Sequence, residues 1–285
     1  MNTDLPPVVT LESVDSTNRA LADMVCSNRD LPAWTTISAE EQTAGRGRLD
    51  HRWQSPRGLN IACSILLRPT APVGSLGTLP ILAGLAVVHA VSRMDKETGD
   101  RLRIKWPNDV WCDGMKLCGI LCEIPAVAGT PADGATPLIA GIVVNVNPGP
   151  DDIPPDLRRT ATSLRIVSSH EWNRQALLLH LREELARLYS TWSEIGVCPP
   201  EIGVCPQPDG VCPQTIRGLS PFLDELRKRD LLLGGEITVE SGNGVEGGVA
   251  AGIAGDGSLL LRKATGATIR VFAGDVHVRT FAARV

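Results

Sequence analysis

The chain has 285 residues, of which 43% are hydrophobic and 21% charged, ordinary globular usage that excludes wholesale disorder. Twenty-eight Lys and Arg against 32 Asp and Glu leave a net charge of −4. That balance excludes a chain whose main work is coating nucleic acid, though a local basic patch can survive inside it. The length suits two domains, or one large domain with an appendage.

In chain order, Ser16 or Thr17 can cap a short helix whose apolar stripe is Ala20, Leu21, Met24 and Val25. Thr35 to Ala39 and Asn60 to Arg68 read as strands, with a polar, glycine-bearing loop from Gln42 to Arg57 between them. Met1 to Thr10 has neither a basic nor an apolar run, so no secretion signal is expected. Pro69 to Ser92 carries no charged residue and is long enough to span a bilayer, but it holds Pro72, Pro80 and three glycines. Leu79, Leu82, Ala83, Ala86 and Ala90 recur at helical spacing, which predicts a buried core helix rather than a membrane span. From Arg101 to Trp106 the apolar Leu102, Ile104 and Trp106 alternate with Arg101, Arg103 and Lys105, a strand that Pro107 ends. Asp113-Gly114 between two apolar runs signals a two-residue hairpin. Leu138 to Asn147 is a further strand, taken as an edge able to add a partner strand from a second copy or a carrier.

Ser168 and Glu171 are spaced as a capping box for a long helix with the stripe Leu177, Leu181, Leu185, Leu188 and Trp192. Three Cys/Pro units follow, Glu194-Ile-Gly-Val-Cys198-Pro, Glu201-Ile-Gly-Val-Cys205-Pro and Asp209-Gly-Val-Cys212-Pro. Proline at that density denies helix and central strand, so about 194–214 is expected to be a surface insertion. Ser220-Pro221 starts a short helix. From Glu236 onward, five short strands with glycine-rich turns suggest a small β-barrel. The eight cysteines show no CxxC pair and no ligand spacing to His, so neither a disulfide framework nor a zinc site is expected, and a thiol-reducing cytoplasm is.

Three clusters carry chemistry. Gly45-Arg46-Gly47-Arg48, with Trp53 beyond it, combines tight backbone with forked cations and suits an enclosed anion. Lys105-Trp106-Pro107-Asn108-Asp109 puts an ammonium at a strand end, where it can reach a phosphate oxygen, and Lys116 returns on the hairpin. Asn145 and Asn147 close an apolar strand and require hydrogen-bond partners, such as a purine edge or a phosphate. No GxxxxGK[ST] is present, and the GxGxxG-like run Gly242 to Gly247 precedes a strand, so it reads as turns. HExxH and GxSxG are also absent, and His89 and His180 fall in helices.

Together with Asp15-Ser16-Thr17-Asn18, Gln42, Lys116-Leu117-x-Gly119-Ile120-Leu121, Gly141…Asn145-x-Asn147 and Ala161-Thr162-Ser163-Leu164, these clusters stand in an order that resembles the biotin protein ligases, of the biotin–[acetyl-CoA-carboxylase] ligase type. The resemblance runs from about Asp15 to the C-terminus. It implies an α+β fold: a catalytic domain like that of class II aminoacyl-tRNA synthetases, a mixed sheet flanked by helices, over 1–230, and an SH3-like barrel over 231–285. It implies that biotin and ATP give biotinyl-5′-AMP and pyrophosphate, and that a lysine of a biotin carboxyl carrier domain then takes the biotin. The alternatives are a lipoate or octanoate ligase of the same fold and an inactive biotin-binding module.

By that resemblance Ser16, Thr17, Gln42, Gly45, Arg46, Arg48 and Lys105 bind biotin, with Lys105 and Arg48 catalytic. Arg46, Gly47, Trp53, Lys116 and Asn145 hold the nucleotide, and residues 45–53 form a loop that orders over the ligand. Mg²⁺ accompanies ATP with no ligand assigned, and no tightly bound prosthetic group is expected. Only fourteen residues precede Asp15, so a monofunctional ligase without a DNA-binding domain is expected, with no membrane partner and a homodimer as an option. Val143 stands where the family often has a second glycine, and the Cys/Pro repeat is foreign to its pattern.

Overall fold

A computed structural model describes residues 5–48, 52–126, 134–194, 218–242 and 244–280. The Cys/Pro repeat beyond Glu194 lies outside them, as does His51. Seven strands form a mixed sheet in the order β1-β2-β3-β7-β6-β5-β4. They are β1 (Val8–Leu11), β2 (Thr36–Ala39), β3 (Ile61–Leu67), β4 (Leu102–Lys105), β5 (Asp109–Cys112), β6 (Met115–Glu123) and β7 (Leu138–Val144). β1 runs parallel to β2; the other pairings are antiparallel. The second sheet holds β8 (Glu236–Ser241), β9 (Gly244–Ile253), β10 (Leu259–Arg262), β11 (Thr268–Val271) and β12 (Asp275–Thr280), all antiparallel, in the order β11-β10-β9-β8-β12.

Alternation assigns the two faces of the large sheet. Ile61, Cys63, Ile65 and Leu67 of β3, with Leu138, Ala140, Ile142 and Val144 of β7, pack against α2 (Leu79–Met94) and α5 (Arg174–Glu194) in the main core. Leu66 and Ile139, from the opposite face, pack with Leu21 and Val25 of α1 (Thr17–Ser27). The site-bearing row lies on this second face: Ser64 pairs with Gly141, and Gly141 with Leu121. The stretch Val73–Met94 is long and apolar enough to cross a membrane by composition, yet 72% of its most apolar window is buried inside the fold. It is the core helix that its spacing predicts.

Several expectations require correction. β7 lies between β3 and β6, so it is central and cannot add a partner strand; β1 and β4 are the edges. Its unbroken apolar run reflects burial on both faces. Ser168 and Glu171 form no capping box. Ser168 ends the short helix α4 (Leu164–Ser168), and Asn173 Oδ1 accepts from Ala176 N at the start of α5. Ser16 is the N-cap of α1 by position but makes no side-chain cap hydrogen bond. Arg101 ends a helix, α3 (Lys96–Arg101), capped by Asp95, whose Oδ1 accepts from Thr98 N at 3.1 Å. No apolar stripe announces that helix, and only from Leu102 does the strand alternation hold. Asp113 and Gly114 have φ of 49° and 79°, the left-handed pair that a two-residue hairpin needs.

Buried contacts join the two sheets. The main core continues from α2 and α5 into Ile237, Val239, Leu259 and Leu261. Trp106, 1% exposed, donates Nε1–H to Gly257 O at 2.8 Å. Leu231 N donates to Ile104 O at 2.9 Å, after α6 (Leu223–Arg229). Strand β12 thereby stands beside the ends of β4 and β5, where the expected site residues gather.

Candidate active site

The first cavity, about 150 Å³, opens over the α1 face of the large sheet. It has the size that accepts a benzene-like ring rather than a nucleotide. Two glycines shape its floor. A Cβ on Gly141 would stand 2.2 Å from Asn18 Oδ1, and one on Gly119 2.5 Å from the Trp53 ring. Only glycine lets Asn18 and Trp53 settle onto the strands there. Thr17 N donates to Gln42 Oε1 at 2.9 Å, and Ser64 Oγ lies 2.8 Å from Thr17 Oγ1 and 2.6 Å from Asn18 Oδ1. All four residues are buried, so their polar groups must satisfy one another or a ligand.

The loop from Gly45 to Trp53 folds back on itself. Trp53 N donates to Gly45 O at 2.9 Å, and Arg46 bridges to Arg52. Arg46 Nη2 is 2.7 Å from Glu123 Oε2. Arg48 donates to Asn108 Oδ1 at 3.3 Å and to Gly274 O at 3.2 Å, so the loop touches the second sheet. Residues 49–51 lie outside the described chain.

A second cavity, about 360 Å³, adjoins the first, and Trp53, Asp109, Lys116 and Asp275 line both. Lys116 Nζ is 2.8 Å from Asp109 Oδ1 and 5.2 Å from the centre of a Trp53 ring; Lys105 Nζ lies 5.1 Å from a Trp111 ring. These distances fit cation–π contacts. Burial holds the Lys105 pKa below the ordinary lysine value; Asp109 and Asp275 pull it back up, and Lys116 and Arg48 push it further down. The indole N–H groups of Trp53 and Trp111 are buried and find no acceptor among the described residues. The junction thus presents cations and unspent donors where an anion would complete the charge balance.

Most of the expected residues do gather here. Ser16, Thr17, Gln42, Arg46, Gly47, Arg48, Trp53 and Lys116 line the first cavity. Lys105 and Asn145 line the second. Gly45 lines neither, and supports Trp53 through its carbonyl. Asn145 Nδ2 donates to Thr162 O at 3.0 Å. Asn147 is spent on Trp172, accepting from its N and donating to its O, and serves the scaffold. Sequence reasoning passed over Asp275, Trp111 and Glu123, and gave Asn18 a place in a motif but no role. Asp275 has no signal in the chain, because only the docking of β12 brings it here. Trp111 could have been found: the hairpin register pairs Arg103 with Trp111, two positions along from the Lys105–Asp109 pair.

Two family models match the chain: the Biotin/lipoate A/B protein ligase family over residues 10–133, and the Biotin protein ligase C terminal domain over residues 232–279. A Biotin--[acetyl-CoA-carboxylase] ligase from Mycobacterium tuberculosis is 32% identical over 269 residues, covering 93% of this chain and 86% of that protein. The chain belongs to the biotin protein ligase family. A Bifunctional ligase/repressor BirA from Bacillus subtilis is 34% identical over 189 residues, 66% of this chain; the alignment spans about half of that relative, 54%. A solved biotin protein ligase from Aquifex aeolicus, in complex with biotin and ATP, superposes with a TM-score of 0.75 at 25% identity, covering 97% of this chain and 100% of that one. Biotin protein ligases therefore share the fold built here, a mixed sheet flanked by helices with a small C-terminal antiparallel sheet.

Proposed function

We propose that the chain activates biotin with ATP and passes it to a lysine of a biotin carboxyl carrier domain. The observation that carries this reading is the pair of cavities meeting at Trp53, Lys116, Asp109 and Asp275, with Arg48 and Lys105 beside the junction. The smaller, glycine-floored cavity takes the biotin head on Ser16, Thr17 and Gln42. The larger takes the nucleotide, with Asn145 and Trp53 on its walls and the unspent indole donors facing phosphate or adenine. Arg46 and Gly47 close the loop over both ligands.

A carboxylate oxygen of biotin attacks the α-phosphorus of ATP, and pyrophosphate leaves with the bonding pair. Two anions must approach, so fixed cations in a water-poor site lower the barrier. Lys105 is the ammonium that shields both reactants, and Arg48 holds the carboxylate. The carrier lysine, as a free amine, then attacks the acyl carbon; AMP leaves and the amine gives up a proton. A closed loop delays hydrolysis of the mixed anhydride.

Asp109, Asp152 and Asp275 line the second cavity and offer the oxygen donors that Mg²⁺ takes one or two at a time beside phosphate oxygens. No three acidic, His or Cys side chains gather to hold a metal among the described residues, so one of these carboxylates at a time would hold the ion beside the phosphates, where it would supply charge neutralisation. Residues 1–230 are proposed as the catalytic unit and 231–285 as the small domain that closes its wall. A cytoplasmic location accords with cysteines that are free among the described residues.

The test incubates the protein with biotin, ATP, Mg²⁺ and an isolated carrier domain, and reads the carrier's mass. A single biotin adduct on one lysine is expected. Modification by lipoate or octanoate but not by biotin would overturn the substrate, and biotin binding without transfer would overturn the activity.

A further inference from the structure

Glu123, at the end of β6, belongs to neither the expected ligand set nor the cation junction, yet one of its oxygens joins the two halves of the first site. Its Oε2 accepts from Arg46 Nη2 and from Asn18 Nδ2, each at 2.7 Å. Resting on the biotin reading above, we propose that Glu123 is a positioning residue. It anchors Arg46 at the pocket and sets the donor–acceptor polarity of the biotin pocket through Asn18.

The polarity follows from counting protons. Asn18 Nδ2 has two hydrogens, one given to Glu123 and the other to Leu121 O at 3.2 Å. Both are spent, so Asn18 Oδ1 must be the acceptor facing Ser64 Oγ at 2.6 Å. Ser64 has a single hydroxyl proton and gives it to Asn18. Toward Thr17 Oγ1, 2.8 Å away, Ser64 can then only accept, so the Thr17 proton points at Ser64. Gln42 Oε1, 3.2 Å from Thr17 Oγ1, is served by Thr17 N–H at 2.9 Å. What remains at the cavity is an acceptor on Thr17 and the amide N–H groups of Gln42. A cyclic urea presents the complement, an N–H beside a carbonyl.

Without the Glu123 acceptor, only the 3.2 Å hydrogen bond to Leu121 O opposes a flip of the Asn18 amide. Its oxygen then leaves Ser64, the Ser64 proton turns to Thr17, and Thr17 no longer faces the ligand as a pure acceptor. Ser64 is fully buried and Thr17 2% exposed, so no water repairs the reversal cheaply.

Biotin-dependent exchange of pyrophosphate into ATP and release of preformed biotinyl-adenylate test the proposal. Glu123→Leu keeps roughly the size and removes the acceptor. It should raise the KM for biotin about tenfold and speed adenylate release. Ser64→Ala breaks only the pocket arm, so it should raise the biotin KM without altering release or the KM for ATP. The double variant should show no more than the larger single effect on the biotin KM, because both act through one chain. Should Glu123→Leu fail to fold, Asn18→Asp sets a second carboxylate against Glu123, and its raised biotin KM should recover as pH falls and the pair takes up a proton. An unchanged biotin KM in Glu123→Leu, full additivity in the double variant, or a pH-independent KM in Asn18→Asp overturns the role. Absence of biotin-dependent exchange in the unmodified protein would instead overturn the reading of the substrate.

Discussion

Lys105 shows how a single residue is tuned by its neighbours. Its strand turns the ammonium away from Leu102 and Ile104, and Trp111 receives it on a ring face. Burial lowers its pKa, so the charge that the proposed reaction draws on is lost on the alkaline side earlier than for a free lysine. The rate of adenylate formation, read as kcat/KM for ATP, should therefore fall as pH rises toward the ordinary lysine value near ~10.4. Lys105→Arg, charged throughout, should lose that alkaline decline even if its absolute rate is lower. The stability sign runs with it. Folding holds Lys105 at a lowered pKa, so the cost of its charge is full at neutral pH and shrinks as pH rises through the folded value. Lys105→Ala should slow pyrophosphate exchange by orders of magnitude, about 3 kcal/mol or more in the barrier. Near-normal exchange by that variant would refute the role.

At the scale of elements, the proposed closing loop is tied down through its described residues Arg46 and Arg48. Arg48 ties it to Asn108 at the turn after β4 and to Gly274 before β12, while Arg46 ties it to β6. Arg48→Gly removes two of these anchors and should let the adenylate escape, seen as faster release in a single-turnover chase. Retention equal to the unmodified protein would contradict the assignment. Most elements could be read from local pattern: α1, α2, α5, the β5–β6 hairpin and the five C-terminal strands each carry their own periodicity or turn chemistry. What escaped was long-range. The central place of β7 depends on β6 pairing along its outer side, which no local signal encodes. The capping residue of α5 was displaced because a separate short helix, capped by Ser163, uses up Ser168. The polar clusters, far apart in the chain, converge on the two adjoining cavities.

For the whole molecule, the two sheets act as one structure through a few buried contacts. Trp106 is the clearest, an indole sealed between β4 and the turn before β10. Trp106→Phe deletes its hydrogen bond to Gly257 O and leaves that carbonyl buried. It should lower stability by about 1–3 kcal/mol in urea unfolding, with a single transition for both sheets. Two separate transitions would show that the C-terminal sheet docks weakly and that Asp275 is a loose member of the wall. Asp275 itself could not be found from sequence, since only this docking carries β12 to the junction.

The central claim is that one ligand spans both cavities, with its phosphate at the Lys105–Lys116 junction. Co-crystallisation with biotin, ATP and Mg²⁺ tests it most directly. The expected density is biotinyl-5′-AMP with the bicyclic head over Gly141, the phosphate between Lys105 and Lys116, and the adenine beside Trp53 or Trp111. A conjugate bound away from both lysines would contradict the account.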